Sequence, residues 1–84
     1  MSLIHPGKIL KNEYLVPLKM SARKLAQNLG VPTNRITSII NEKRSITADT
    51  ALRLAAFFDT TPEFWLHMQL RYDLQLARNK MKEQ

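Results

Sequence analysis

Residues 20–44, MSARKLAQNLGVPTNRITSIINEKR, predict two short helices joined by a tight turn. Ser21 is placed to cap the first helix. The apolar stripe of that helix consists of Ala22, Leu25, Ala26 and Leu29. Gly30 follows at the point where a helix ends on a left-handed residue, for which the absence of a Cβ is an advantage. Pro32 stands where a second helix begins, because the first helical turn tolerates a fixed φ and a missing N–H.

The second helix of this stretch has two chemically different faces. Ile36, Ile39 and Ile40 recur at i, i+3 and i+4 and form its apolar face. The opposite face has no acidic residue and consists of Thr33, Asn34, Arg35, Thr37 and Ser38. Asn can bond adenine bidentately, Arg can bond guanine, and Thr or Ser can bond bases or phosphates. An ordinary solvated face is the alternative, but the preceding glycine turn and the following Lys43 and Arg44 favour a helix-turn-helix whose second helix, the reading helix, contacts DNA.

Positive charge is concentrated on this stretch. The 84 residues include 13 basic and 7 acidic residues, which give a formal net charge of +6. Residues 19–44 carry +5, whereas residues 45–70 carry −2. This distribution predicts a polyanionic partner that contacts residues 19–44. A membrane-surface helix would instead place basic residues opposite a bulky apolar stripe on one long helix, and that pattern is missing.

Length and composition exclude several other classes of protein. We expect one domain over residues 1–84, with a core over about 5–77 and a frayed tail over 78–84. The absence of cysteine excludes disulfides and thiolate metal sites. No apolar run reaches the ~20 residues of a membrane span and no signal-peptide core is present, so we expect a cytoplasmic protein. His5 and His67 each stand alone, and there is no catalytic constellation, so we expect no metal, no other cofactor and no enzymatic activity.

Helices are predicted on both sides of the motif. The first runs from about residue 5 to Leu15, and Pro17 ends it. Its expected core residues are Ile9, Leu10, Tyr14 and Leu18. After the motif, Thr47 caps a fourth helix that runs to about Phe58, with Asp49 complementing the helix dipole in its first turn. Its inward face consists of Ala51, Leu54, Ala55 and Phe58.

The fifth and longest helix is predicted from Pro62 to about Asn79. Thr61 caps it, with a proline in its first position and an acid in its first turn. We expect Phe64 and Trp65 in the core. The leucines of this helix present more apolar surface than a small core can cover from one side. We therefore expect a second copy of the chain to pack on them. The predicted dimer interface consists of Leu66, Leu70, Leu74 and Leu76.

The chain resembles the HigA family of antitoxins, which are Xre-type helix-turn-helix proteins of bacterial toxin–antitoxin modules. HPGKIL at residues 5–10 resembles the family's HPGEIL start, and LAQNLGV at 25–31 matches its first motif helix and turn. RSITADTALRLAAFF at 44–58 and TPEFWLHMQLRYDL at 61–74 resemble its fourth and fifth helices. The resemblance covers about residues 5–76. A helix-turn-helix alone is a weak signal, whereas its combination with HPG, SITAD and TPEFW is fairly specific.

This resemblance implies an all-α, compact, five-helix lambda-repressor-like domain that forms a homodimer. It implies binding to double-stranded DNA at a palindromic operator in the chain's own promoter, and neutralisation of a small RelE-like toxin that cleaves mRNA. The implied base-facing residues are Thr33, Asn34, Arg35, Thr37 and Ser38. The implied phosphate-contacting loop contributes Asn41, Lys43 and Arg44. The basic first helix of the motif adds Arg23 and Lys24 to this DNA-binding set.

The chain departs from the family pattern at two positions. Ala22 stands where the family often has a glutamine that touches the DNA backbone and braces a base reader. Glu42 stands where the family commonly has glycine at the end of the reading helix. Without glycine, a left-handed residue costs up to ~1 kcal/mol there, or Asn41 adopts the left-handed conformation in its place. Glu42 also brings a negative charge near the phosphates, so we expect weaker DNA binding than with glycine.

The sequence leaves more than one function open. The first is a dimeric, sequence-specific autorepressor and antitoxin, with its two half-sites about one turn (~10 bp) apart and with Asn34 and Arg35 supplying much of the discrimination. The second is a protein-binding antitoxin with weak or vestigial DNA binding, which Ala22 and Glu42 favour. A solitary Xre-type repressor without a toxin is a third. A neighbouring reading frame for a small basic protein would distinguish an antitoxin from a solitary repressor.

Overall fold

The computed structural model of this chain describes residues 3–83, which form five helices and no strand. The helices are α1 over residues 6–18, α2 (Ala22–Leu29), α3 (Thr33–Ile40), α4 (Ala48–Phe58) and α5 (Pro62–Lys82). The pair α2 and α3 is the helix-turn-helix, with α3 as the reading helix. The predicted all-α fold of five helices is therefore confirmed. Within residues 3–83, no helix combines the length and the apolar character that crossing a bilayer requires.

Helix α1 does not end at Pro17, so its predicted end near residue 15 was wrong. Its first and last turns are α-helical, whereas Leu10–Leu15 is wound as a π-helix. The N–H of Val16 accordingly donates to the carbonyl of Lys11, five residues back. In a regular α-helix a proline ring clashes with the carbonyl four residues back, and the wider π turn leaves room for it.

Two apolar residues that the sequence placed in the core lie at the surface. Leu18, the last residue of α1, is 55% exposed, whereas Leu15 is buried. Phe64 is 38% exposed and sits edge-on to Trp65, with the ring centroids 5.1 Å apart. Phe64 is thus the outward member of the pair, and Trp65 enters the core.

The core lies where the five helices meet. The reading helix contributes Ile36 and Ile39, which are fully buried, as predicted. Trp65 of α5 is also fully buried, with its ring centroid 5.2 Å from that of Tyr14 and 6.4 Å from that of Phe58. The other large, fully buried apolar side chains are Pro6, Leu10, Leu25 and Leu54. Because α1, α2, α4 and α5 all contribute to this core, the reading helix is held from its inner side.

Four of the five helices end on a left-handed residue, at φ angles of 54°, 72°, 63° and 56° for Lys19, Gly30, Glu42 and Asp59. In each case the next N–H donates to the carbonyl five residues earlier, as Lys43 does to Ser38 at 2.8 Å. Gly30 thus ends α2 as predicted. At the end of the reading helix Glu42, and not Asn41, takes the left-handed conformation, which costs about 1 kcal/mol relative to glycine.

Helix α5 continues to Lys82, about one turn beyond its predicted end at Asn79. The expected frayed tail over 78–84 is therefore helical as far as Lys82, and Gln84 lies outside the described residues. The Gln75 side-chain amide donates to Oδ1 of Asn79 at 3.0 Å, which supports this last part of the helix. Lys80 and Lys82 in the final turn complement the helix dipole.

Candidate nucleic-acid interface

The reading helix turns a short polar face to solvent. Since Ile36 and Ile39 point into the core, the i, i+4, i+7 series of Asn34, Ser38 and Asn41 points outward. Asn34 is exposed and Ser38 is half-buried. The Thr37 hydroxyl, on the flank of this line, donates to the Asn34 carbonyl at 3.3 Å. The structure thus brings together four of the predicted DNA-contacting residues as small, uncharged hydrogen-bonding groups on one convex surface.

Exposed basic side chains precede and follow the reading helix along the chain. Arg23 and Lys24 are exposed in the first turn of α2, next to Ser21, whose Oγ accepts from the Lys24 N–H at 3.0 Å. Positive charge at a helix N-terminus opposes the helix dipole, so these two residues do not serve the stability of α2. Lys43 and Arg44 are exposed in the loop after the reading helix. Thr33 is exposed at the start of the reading helix. This arrangement suits an anion that runs past both ends of the motif.

The loop between α3 and α4 is anchored to the core by α5. Gln69 is buried and its Oε1 accepts from the Ile46 N–H at 2.9 Å. The Gln69 amide nitrogen donates to Oδ1 of Asp73 at 2.9 Å. Ile46 is itself buried in the core. The loop that carries Lys43 and Arg44 is therefore fixed at its far end, by a glutamine whose role the sequence did not reveal because it lies 23 residues from Ile46.

The start of α1 touches the end of the reading helix. A Cβ on Gly7 would overlap the carbonyl oxygen of Ile39 and lie 2.7 Å from its carbonyl carbon. This close approach explains the glycine of the HPG motif, which the sequence alone did not explain. Any side chain there would push the reading helix away from α1.

His5 caps α1. It is buried, and its Nδ1 accepts from the Gly7 N–H at 2.9 Å. Its ring packs edge-on against Tyr72, with the centroids 4.9 Å apart. Burial lowers the pKa of His5, while the charges of Glu42 and Asp73 oppose this shift. The neutral imidazole is the form that caps the helix. Residues 3–83 contain no group of three potential metal ligands.

Arg35, the charged residue of the reading helix, is engaged by an acid of α4. Its Nη1 lies 2.7 Å from Oδ2 of Asp49, and the Arg35 side chain is 30% exposed. Nε of Arg53 lies 3.1 Å from the same Asp49 oxygen. Hydrogen bonds from Arg53 and then from Arg35 lower the pKa of the Asp49 carboxyl. Within residues 3–83 these are the only ion pairs, and both converge on Asp49.

The same network reaches the end of α2. Nη1 of Arg53 donates to the Leu29 carbonyl at 2.7 Å, beside the Gly30 turn. Arg53 thus joins α2 to α4, while Asp49 joins α4 to α3. The i, i+4 spacing of Asp49 and Arg53 is visible in the sequence. The pairing of Asp49 with Arg35 is not, because the two residues are 14 positions apart and on different helices.

The predicted dimer interface divides between two faces of α5. Leu70, Leu74 and Met81 are 53%, 43% and 72% exposed and lie on one line of the helix. Leu66 begins this line and packs partly against the core. We call these four residues the α5 stripe. Leu76 is four residues after Tyr72 and lies on the other side of α5, so the structure does not bring it together with the stripe.

Comparisons with known proteins agree with this geometry. Residues 12–65 match the helix-turn-helix family HTH_3. The chain is 52% identical over 77 residues to virulence-associated protein I of Dichelobacter nodosus, which covers 92% of this chain and 71% of that protein. It is similar to an addiction module antidote protein of a HigA family from Coxiella burnetii, at 58% identity and a TM-score of 0.93, covering 99% of this chain and 90% of that chain. It is also similar to the structure of Pseudomonas aeruginosa antitoxin HigA with the higBA promoter, at 38% identity and a TM-score of 0.95, covering 98% and 89% of the two chains.

Proposed function

The chain belongs to the helix-turn-helix family HTH_3 and, within it, to the HigA family of antitoxins, and from this premise we propose that it is a DNA-binding autorepressor and the antitoxin of a toxin–antitoxin module. The observation that carries the proposal is the outward face of the reading helix, which is acid-free and flanked by basic residues. The same fold is present in the Pseudomonas aeruginosa antitoxin that was solved with promoter DNA. The function is regulatory and not enzymatic.

In this proposal the reading helix enters the major groove of the operator. Asn34 is exposed and offers the amide donor and acceptor that bond adenine bidentately. Ser38 and Asn41 lie on the same outward line and contact neighbouring bases or phosphates. The basic residues beside this line bind phosphates without reading sequence, namely Arg23, Lys24, Lys43 and Arg44.

The operator-binding form is a homodimer that assembles through the α5 stripe. Leu70, Leu74 and Met81 are exposed apolar side chains on one side of α5 that the single chain leaves uncovered within residues 3–83. A second copy would cover this line by the same residues, as a two-fold interface requires. Two reading helices in a two-fold dimer match a palindromic operator with half-sites about one helical turn, ~10 bp, apart.

The protein partner in this proposal is a small RelE-like toxin. The complex acts in the cytoplasm, where the DNA and mRNA targets lie.

In a second candidate function the chain also neutralises a toxin but binds DNA only weakly. Glu42 favours it, because an acidic side chain in a strained left-handed conformation stands beside Lys43 and Arg44. Ala22 favours it too, because its half-buried methyl group offers nothing to a phosphate.

The deciding experiment is DNA binding by fluorescence anisotropy. The full chain is titrated onto labelled duplexes from its own upstream region and onto a scrambled duplex of equal length, across a salt series. The repressor requires tight binding to the upstream duplex, weak binding to the scrambled one, and an affinity that falls steeply with salt. Equal and weak binding to both duplexes would contradict the repressor function and favour the protein-binding antitoxin.

The toxin is tested by co-expression. A small basic protein encoded by a neighbouring reading frame is produced with and without this chain. The antitoxin role requires that the two proteins co-purify and that the chain relieves growth arrest by its neighbour. Absence of such a reading frame would leave a solitary repressor.

A further inference from the structure

Asp49 and the two arginines that bind it, Arg35 and Arg53, form a chain of contacts. Arg53 is held at one end by the Leu29 carbonyl at 2.7 Å. It also contacts Asp49 at 3.1 Å, so Arg53 orients the carboxylate. Arg35 then donates to that same carboxylate oxygen at 2.7 Å. Asp49 is therefore the acceptor that holds the arginine of the reading helix, and Arg53 orients it.

This contact draws Arg35 away from the outward face. On the helix Arg35 lies on the flank nearest α4, about 100° from the outward Asn34. Its bond to Asp49 directs the guanidinium across the flank toward the first turn of α4. Asn34, Thr37 and Ser38 thus face outward without a neighbouring cation on the reading helix itself.

We propose that Asp49 is a specificity-determining residue, which withholds Arg35 from DNA so that uncharged side chains read the operator. The proposal rests on the proposed DNA-binding function. A free arginine on the flank of a reading helix would reach phosphates on any duplex, and phosphate contacts add affinity without sequence information. In the operator complex the base contacts fix the reading helix, whereas on random DNA the helix can shift until a free arginine meets a phosphate. Holding that arginine therefore lowers binding to random DNA more than it lowers binding to the operator, and the ratio of the two affinities rises.

The test is a double-variant cycle read through salt dependence. Asp49→Asn removes the charge that holds Arg35 while keeping the size of the side chain. One additional phosphate contact makes the slope of log K against log [salt] steeper by about 0.9 on duplex DNA. At 0.1 M salt this corresponds to roughly five- to tenfold tighter binding to the scrambled duplex. We expect both changes in Asp49→Asn, together with a lower ratio of upstream to scrambled affinity.

The second variant identifies the group that makes the new contact. Asp49→Asn combined with Arg35→Gln should have the salt slope of Arg35→Gln alone, because the released arginine is no longer present. A steeper slope that persists in the Arg35→Gln background would show a general effect of the lost negative charge, and would overturn the proposal. So would an unchanged slope in Asp49→Asn, or a larger gain on the upstream duplex than on the scrambled one.

Two controls accompany the cycle. Glu63→Gln removes the same charge from the first turn of α5, where the side chain is exposed and forms no ion pair within residues 3–83, and it should keep the slope of the unmodified chain. Asp49→Ser replaces Asp49→Asn in the cycle if Asp49→Asn folds poorly. Failure of the proposed repressor function can be distinguished from failure of the proposed role of Asp49. The unmodified chain would then not prefer upstream DNA, while the slope on scrambled DNA still reports whether Asp49 holds Arg35.

Discussion

Gly7 and Ile39 bring two helices into contact backbone to backbone. No side chain fits between them, because a Cβ on Gly7 would overlap the Ile39 carbonyl oxygen and lie 3.0 Å from Nδ1 of His5. Ile39 is also the residue whose carbonyl accepts the Glu42 N–H at the end of the reading helix, at 3.0 Å. The first turn of α1 therefore fixes the position of the last turn of the reading helix.

Gly7→Ala should destabilise the fold by roughly 1–3 kcal/mol, the usual cost of forcing an extra group into a packed site. In an open helix the same substitution would be stabilising, so the sign of the change is informative. Urea unfolding followed by circular dichroism measures it. Gly30→Ala is the comparison, because a Cβ there would lie 3.5 Å from Nη1 of Arg53, an ordinary contact distance, and only the left-handed φ of 72° opposes the substitution. A neutral or stabilising Gly7→Ala would contradict the close contact.

Glu42→Gly should stabilise the chain by about 0.5–1 kcal/mol, since glycine adopts a left-handed φ without a Cβ penalty. It should also bind DNA more tightly, because a negative charge beside Lys43 and Arg44 is removed. Glu42→Gln separates the two effects, as it removes the charge and keeps the backbone strain. Thermal unfolding and anisotropy measure the two quantities. A Glu42→Gly variant that binds DNA no more tightly than the unmodified chain would refute the electrostatic part.

Acidification should destabilise the fold through His5. Burial lowers the pKa of His5 below its ordinary value of 6.5, so the unfolded chain takes up a proton first. The contribution of neutral His5 is complete above pH 6.5 and is lost as the pH falls through the folded-state pKa. The slope from one proton cannot exceed about 1.4 kcal/mol per pH unit. His5→Asn keeps an N-cap acceptor and should flatten the dependence between pH 7 and pH 5, measured by urea unfolding at each pH. An equal slope of unfolding free energy against pH in both proteins would contradict this role of His5.

Asn34→Ala and Lys43→Ala should weaken DNA binding in different ways. Asn34→Ala should lower affinity for the upstream duplex by ~1–3 kcal/mol and leave the scrambled duplex nearly unchanged, because its contact is to a base. Lys43→Ala should weaken both duplexes similarly and reduce the salt slope by about 0.9. Anisotropy titrations on both duplexes measure these changes. If Asn34→Ala lost equal affinity on the two duplexes, Asn34 would be reassigned to a phosphate contact.

Leu70→Glu should convert the dimer to a monomer. Leu70 is 53% exposed in the α5 stripe, and a carboxylate there would be buried without a partner when two copies associate. We expect a loss of at least ~1–2 kcal/mol in association, read by analytical ultracentrifugation. Leu52→Glu is the matched control, because Leu52 is 59% exposed on α4, outside the stripe. Equal effects of the two substitutions would place the interface elsewhere.

Most elements of the fold could be predicted because their signals are local. Ser21, Gly30 and Thr61 act through hydrogen bonds or backbone angles within a few residues, and the structure places all three in the predicted roles. The exceptions are also instructive. Pro17 is a local signal for a helix end, but the π-helical turn in Leu10–Leu15 overrides it. Phe64 and Trp65 are equally apolar, and their neighbourhood alone does not say which one faces the core.

The residues of the candidate site could be named from the sequence, whereas the contacts that hold their side chains could not. The reading helix and its polar face follow from the apolar spacing of Ile36 and Ile39. Whether Arg35 is free depends on Asp49, which lies 14 residues away on another helix. The sequence presented Asp49 only as a complement to the dipole of its own helix.

The sequence by itself thus determined the order of the five helices, the caps at Ser21 and Thr61 and the polar face of the reading helix, because periodicity and capping involve neighbours along the chain. The tertiary structure alone decided the contacts of Gly7 with Ile39, Arg35 with Asp49 and Gln69 with Ile46. Such contacts depend on how closely helices pack and how they are rotated about their axes. A shift of one residue in that rotation turns a side chain by about 100°, which is enough to make or remove each of them.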